Sequence, residues 1–213
     1  MLTRLLVVAN ILVFVWTSMN HITDSDQLLI KYGAMYGPAV ASGEWWRIFT
    51  AGFLHGGLLH VSFNMFALWQ VGSAVEDLFG TPRMALIYLL SLIGSGIAIY
   101  EFAYNDVTIG ASGAIFGIFG ALAAAGMRLG PRGRDLVRGM LGIVLIKLII
   151  GFMVPNISMS GHVGGLVVGF IVGFLLFEPP VPSAPIYVNA EHGDNIIEAE
   201  LLPPEHPPGT PPR

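Results

Sequence analysis

The sequence predicts an all-α, polytopic membrane protein of six transmembrane helices with both termini in the cytoplasm. Three observations predict it: composition, six apolar stretches, and the placement of Lys and Arg. Hydrophobic residues make up 54% of the 213-residue chain and charged residues 11%, with a mean hydropathy of +0.71. So few charges cannot cover a soluble domain of this length. A spanning helix needs roughly 20 mostly apolar residues. Stretches of that kind occur at about 3–19, 57–76, 82–102, 112–127, 136–154 and 160–178. With the N-terminus inside, the inner connections carry Arg4, Arg83, Arg128, Arg132, Arg134 and Arg138, and the outer ones only Lys31 and Arg47. That asymmetry orients the bundle.

The first run, Leu5 to Met19, has no small-residue cleavage site and is followed by further spans, so it reads as a retained helix rather than a signal peptide. Segment 20–56 is too polar to span and too aromatic for a plain linker. It is expected to lie at the membrane interface, outside the hydrocarbon. Residues 1–178 thus form one six-helix transmembrane domain. The tail 179–213 holds ten of the fourteen prolines and is expected to be a disordered cytoplasmic extension. The chain has no cysteine, which removes disulfides and thiolate metal sites. No basic stripe interleaved with aromatics suggests a nucleic-acid partner.

Polar groups in hydrocarbon are costly and mark function by default. His60 lies sixteen residues before Glu76, Ser112 sixteen before Arg128, and His162 sixteen before Glu178. At 1.5 Å per residue each stands roughly 24 Å above its inner charge, within a core about 30 Å thick. Asn64 lies one turn deeper than His60 on the same face. Three parallel helices therefore bring a serine, an imidazole and two hydrogen-bond donors to one layer. A serine hydroxyl becomes nucleophilic when an imidazole takes its proton, and a carbonyl under attack needs donors for its developing oxyanion. His60, Asn64 and the Ser112 N–H can supply them. No carboxylate shares this depth on helices two, four or six, so the expectation is a Ser-His dyad.

Small residues support a close fit. Gly161, Gly165, Gly169 and Gly173 recur every four residues on helix six, while Gly113, Gly117, Ala121 and Ala124 form a small face on helix four. Such spacing lets helix backbones approach closely in lipid. It is a weak signal alone, since transporters show it too.

At these residues the chain resembles the rhomboid family of intramembrane serine proteases. The matching pieces are Gly110-Ala111-Ser112-Gly113-Ala114-Ile115-Phe116-Gly117, His60-Val61-Ser62-Phe63-Asn64, and the stretch from Ser160 through His162 and Gly165 to Gly169. Upstream, Glu44-Trp45-Trp46-Arg47 is similar to the family's Trp-Arg motif, and His55 falls where a family histidine precedes helix two. The likeness covers roughly residues 44–175. It implies Ser112 as nucleophile, His162 as general base, and His60 and Asn64 at the oxyanion hole, with Gly110, Gly113 and Phe116 in support. Phe116 would pack on the His162 ring, where some relatives have tyrosine, and Gly161 stands where many have alanine. The resemblance further implies cleavage of single-pass transmembrane substrates near their outer end, with no cofactor, and the small six-helix size points to a bacterial-type cytoplasmic membrane.

Each residue also has a plainer reading. Ser112 alone would be a helix cap, and His60, Asn64 and His162 could be interhelical glue. His55 is expected to hold the outer loop, and Trp45, Trp46 and Arg47 to anchor it. Lys147, within helix five, has no functional account. Among rival functions, a transporter would use the layer as a binding site, but no Asp or Glu there could relay protons. An inactive client-binding relative would lack the serine or the histidine. A metal site on His55, His60 and His162 lacks a His-Glu-x-x-His pattern and carboxylate ligands.

Overall fold

A computed structural model of the chain describes residues 2–133, positions 135, 137–139, 142 and 144, and residues 158–179. The expected fifth span, about 136–154, falls largely outside these residues, as do Lys147 and the chain from 180 onward.

The long helices are α1 (Leu2–Met19), α5 (Leu58–Phe79), α6 (Thr81–Phe102), α7 (Ser112–Arg128) and α8 (Met159–Leu176). Between α1 and α5 come the short helices α2 (Asp26–Lys31), α3 (Gly37–Ala41) and α4 (Arg47–Thr50). Among the described residues α1, α5, α6 and α8 are long and apolar enough to cross a membrane, and α7 is a shorter apolar helix. The chain is therefore a multi-pass membrane protein. Each described span begins and ends within a few residues of its expected position. The largest difference is at the end of α5, which continues past Glu76 to Phe79. It stops where Gly80 takes φ +80°, and Pro82 then opens α6.

Helix α7 is the centre of the bundle. Every residue from Ser112 to Leu122 is buried, and its main partners are α8 and α6. Its approach to α8 is as close as two helices allow. A Cβ on Gly165 would collide with the Gly113 carbonyl, one on Gly169 with that of Gly117, and one on Gly173 with Ala121. Without a hydrophobic drive between helices in lipid, this backbone proximity supplies the van der Waals attraction that holds them.

At the rim, α1 turns an apolar face outward and buries only Thr3, Asn10 and Thr17. Asn10 and Thr17 each donate back to their own helix, to the carbonyls of Leu6 and Phe14. Glu76 near the end of α5 accepts from the Leu2 and Thr3 N–H groups at 2.7 and 2.9 Å, and from the Thr81 hydroxyl at 2.8 Å. It thereby caps α1, whose first N–H groups have no partner in their own helix.

Segment 20–56 is a folded element. The Arg47 guanidinium is buried and donates to the carbonyls of Ile30 and Ala34, at 2.5 and 3.0 Å, and to the Glu44 carboxylate. Trp45 and Trp46 beside it are exposed. Arg47 thus holds the segment together, as expected of an anchor.

Candidate active site

Ser112 opens α7, and its position is set by what precedes it. The connection from α6 is stitched to segment 20–56 by paired backbone bonds between Met35 and Thr108 (3.0 and 2.9 Å), by Gly37 N–H to the Tyr104 carbonyl (3.0 Å), and by Gly110 N–H to the Ala51 carbonyl (2.9 Å). The 20–56 segment therefore braces the start of the serine helix. His162 sits in the first turn of α8. That turn is capped by Ser158, whose hydroxyl accepts from Gly161 N–H.

The two side chains meet. His162 Nε2 lies 2.8 Å from Ser112 Oγ, and both residues are buried. The His162 ring stacks on Phe116, with centroids 4.2 Å apart and planes 16° from parallel. A hydrogen bond at one edge and a flat ring on one face fix the imidazole's position and tilt. This arrangement lets the imidazole take a proton from the hydroxyl and return it without moving.

His60 and Asn64 lie in the first half of α5, both buried. The structure places them beside Gly110, two residues before the serine. A Cβ on Gly110 would stand 2.8 Å from His60 Nε2 and 3.7 Å from Asn64 Nδ2. Gly110 also has φ +118°, a conformation side-chain-bearing residues rarely adopt. Glycine is required there twice, for the turn and for the approach. His60 Nδ1 accepts a long bond from Gly56 N–H at 3.4 Å. An accepting Nδ1 leaves the ring proton on Nε2, the nitrogen facing Gly110. His60 then presents a donor on the side where Ser112 begins its helix. His55 lies edge-on to His60, centroids 5.0 Å apart, and its Nδ1 donates to the Phe53 carbonyl at 3.3 Å.

Sequence reasoning missed the third wall. Ser91 and Ser95 of α6 are buried against α7: a Cβ on Gly117 would strike Ser91, and one on Gly113 would strike Ser95. Ser95 also lies where a Cβ on Gly161 would come within 2.9 Å of its hydroxyl. It is therefore wedged next to the neighbours of both Ser112 and His162. The run of small residues Ser91, Gly94, Ser95 and Ala98 was the available signal. The sequence marks Glu76 only as the inner charge of its span. Its capping of α1 joins residues 73 or more apart, which no local pattern reveals.

Residues 42–179 match the Rhomboid domain family. The chain is 39% identical over 201 residues, 94% of its length, to the rhomboid protease GluP of Bacillus subtilis (strain 168), of which it covers 38%. It is 36% identical over 160 residues (73% of the chain) to RHOMBOID-like protein 6, mitochondrial, of Arabidopsis thaliana, covering 52% of that protein. It is also 36% identical over 142 residues (66% of the chain) to the putative rhomboid protease YdcA of Bacillus subtilis (strain 168), covering 71%. The chain thus spans from about two fifths to about half of the first two relatives.

Proposed function

This chain belongs to the rhomboid family, and on that premise we propose that it is an intramembrane serine endopeptidase cleaving transmembrane segments of other membrane proteins. The observation that carries the reading is the buried 2.8 Å pair of His162 Nε2 and Ser112 Oγ. A serine and a histidine so placed inside a membrane bundle have little structural purpose that apolar residues would not serve better.

In the proposed mechanism the end of a substrate helix unwinds, since a folded helix shields its carbonyls. Ser112 Oγ attacks the exposed carbonyl carbon while His162 Nε2 takes its proton. The negative charge that develops on the carbonyl oxygen is met by His60 Nε2–H, by Asn64 Nδ2, and by the N–H groups of the first turn of α7, which have no partner in their own helix. His162 then protonates the leaving amine. Water, deprotonated by the same imidazole, releases the acyl group from Ser112. Gly110 and Gly113 allow the backbone approach, and Phe116 holds the base. The substrates are single-pass membrane proteins, the enzyme resides in a bacterial-type cytoplasmic membrane with both termini inside, residues 1–178 are the catalytic unit, and 179–213 is a cytoplasmic tail.

The test uses detergent-solubilised protein, a fluorophosphonate serine probe and a model transmembrane substrate. Wild type should label and cleave. Ser112→Ala and His162→Ala should each abolish both, with a loss of at least about a thousandfold in turnover. Wild-type turnover in His162→Ala would refute the dyad, and a folded wild type that neither labels nor cleaves would refute the enzyme.

A further inference from the structure

Helix α5 is not uniform. It is α-helical over Leu58–Ala67, widens to a π-helix over Leu68–Gly72, and returns to α geometry over Ser73–Phe79. Its buried positions explain why. His60, Asn64, Leu68, Gly72 and Glu76 follow one another at intervals of four, and all five are buried. Each α-helical residue turns the chain by about 100°, so every step of four overshoots a full turn by about 40°. Four such steps would put Glu76 about 160° around the helix from His60, almost on its opposite side. A π segment accommodates one extra residue without extra rotation. It therefore removes about 100° of that drift and returns Glu76 to the same general face.

Both ends of this face have fixed partners. At one end His60 and Asn64 meet Gly110, beside the start of α7. At the other, Glu76 takes the N–H groups of Leu2 and Thr3. Gly72 lies within the π segment itself, and a Cβ there would press on Thr3 at 3.1 Å, so α1 packs directly against the widened turn. A regular α-helix with this sequence could satisfy one end or the other.

We propose that the Leu68–Gly72 π turn is a positioning element for the reaction: it sets the rotational register at which His60 and Asn64 face the serine helix while Glu76 stays docked on α1. This rests on the oxyanion role given above to His60 and Asn64. It adds that α1, which contributes no reacting group, holds the oxyanion donors in place through the widened turn. Straightening the widened turn with its residue count kept would rotate the two halves of α5 out of register by about 100°, whereas removing the extra residue leaves a regular α-helix in the same register.

The test deletes Gln70, an exposed residue of the π segment, which leaves a regular α-helix with the His60-to-Glu76 rotation that the widened turn already gives. Turnover on a model transmembrane substrate and the thermal midpoint should stay within about twofold and a few degrees of wild type. A second variant also deletes the exposed Phe66, which lies between Asn64 and Glu76, and so rotates the two halves of α5 against each other by about 100°. If the outer half rotates, kcat should fall at least about tenfold with KM held, as in Asn64→Ala. If the inner half rotates instead, the midpoint should fall as far as in Glu76→Ala, and adding Glu76→Ala should lower it no further. Keeping an alanine at position 66 of the Gln70 deletion (Phe66→Ala) should return both readouts toward wild type. A Gln70 deletion as damaging as the double deletion, wild-type turnover and midpoint in the double deletion, or failure of that alanine to restore a double deletion that does not fold, would overturn the proposal. Should the wild type itself not cleave, the protease reading falls, and the register proposal is decided by the midpoints alone.

Discussion

The imidazole of His162 lies flat on the ring of Phe116, with centroids 4.2 Å apart and planes 16° from parallel, while its Nε2 reaches Ser112 Oγ at 2.8 Å. Phe116 is four residues after Ser112, so one turn of α7 supplies both the proposed nucleophile and the surface that steadies its proposed base, His162. The spacing of the pair is thereby tied to a rigid helix rather than to a loop.

The stack is worth about 0.5–1.5 kcal/mol beyond the area it buries. Phe116→Leu keeps the site apolar but removes the flat face, and should lower kcat about 2- to 10-fold with little change in melting. Phe116→Tyr should retain most activity, because the ring is preserved. Single-turnover labelling by a fluorophosphonate, alongside thermal unfolding, separates lost orientation from lost fold.

Gly110→Ala tests the loop that passes beside His60 and Asn64, the proposed oxyanion donors. The new Cβ would stand 2.8 Å from His60 Nε2 at a backbone φ of +118°. His60 must therefore move or the turn must open. Turnover should drop about a hundredfold, the scale of losing one oxyanion donor, with KM changed far less. Steady-state kinetics on a model substrate would show it, and equal kcat in mutant and wild type would remove Gly110 from the site.

Gly165 lies against the Gly113 carbonyl, so any side chain there separates α7 from α8. Gly165→Val should cost about 1–3 kcal/mol or more as overpacking and pull His162 from Ser112, ending labelling. Val163, two residues earlier, is exposed, and Val163→Ala should leave both labelling and the unfolding midpoint near wild type. Equal effects at the two positions would show that the close approach is not what matters.

Arg47 should act on stability rather than chemistry. Arg47→Ala takes the guanidinium donor from the buried Ala34 carbonyl and leaves the Ile30 carbonyl only its 3.3 Å bond from Gly33 N–H, and a buried group left unsatisfied costs about 1–3 kcal/mol. Arg47→Lys should recover only part, since one ammonium cannot reproduce the planar fork. The unfolding midpoint should fall in that order, with kcat at low temperature largely kept. A large fall in kcat with an unchanged midpoint would instead place Arg47 in catalysis.

The sequence by itself determined the membrane class, the placement of the five long described helices to within a few residues, and the level at which the polar groups lie. The reason is that lipid leaves the backbone only helical geometry, so a count of residues becomes a depth. Sixteen residues from His60 to Glu76, from Ser112 to Arg128 and from His162 to Glu178 carried that information without a structure. The tertiary structure decided what depends on rotation about the helix axes. It turned Ser112 and His162 toward each other, wedged Ser95 beside both, and aimed His60 Nε2 at Gly110. It also folded segment 20–56 around Arg47 as a brace for the serine helix, where the sequence indicated only an interfacial loop. Rotation follows from contacts summed over all neighbouring helices. Whether one residue is taken up in a widened turn, as at Leu68–Gly72, or in regular α geometry changes it by about 100° while composition and hydropathy stay the same. Depth is a local property that each segment carries alone, whereas facing exists only once the helices have packed.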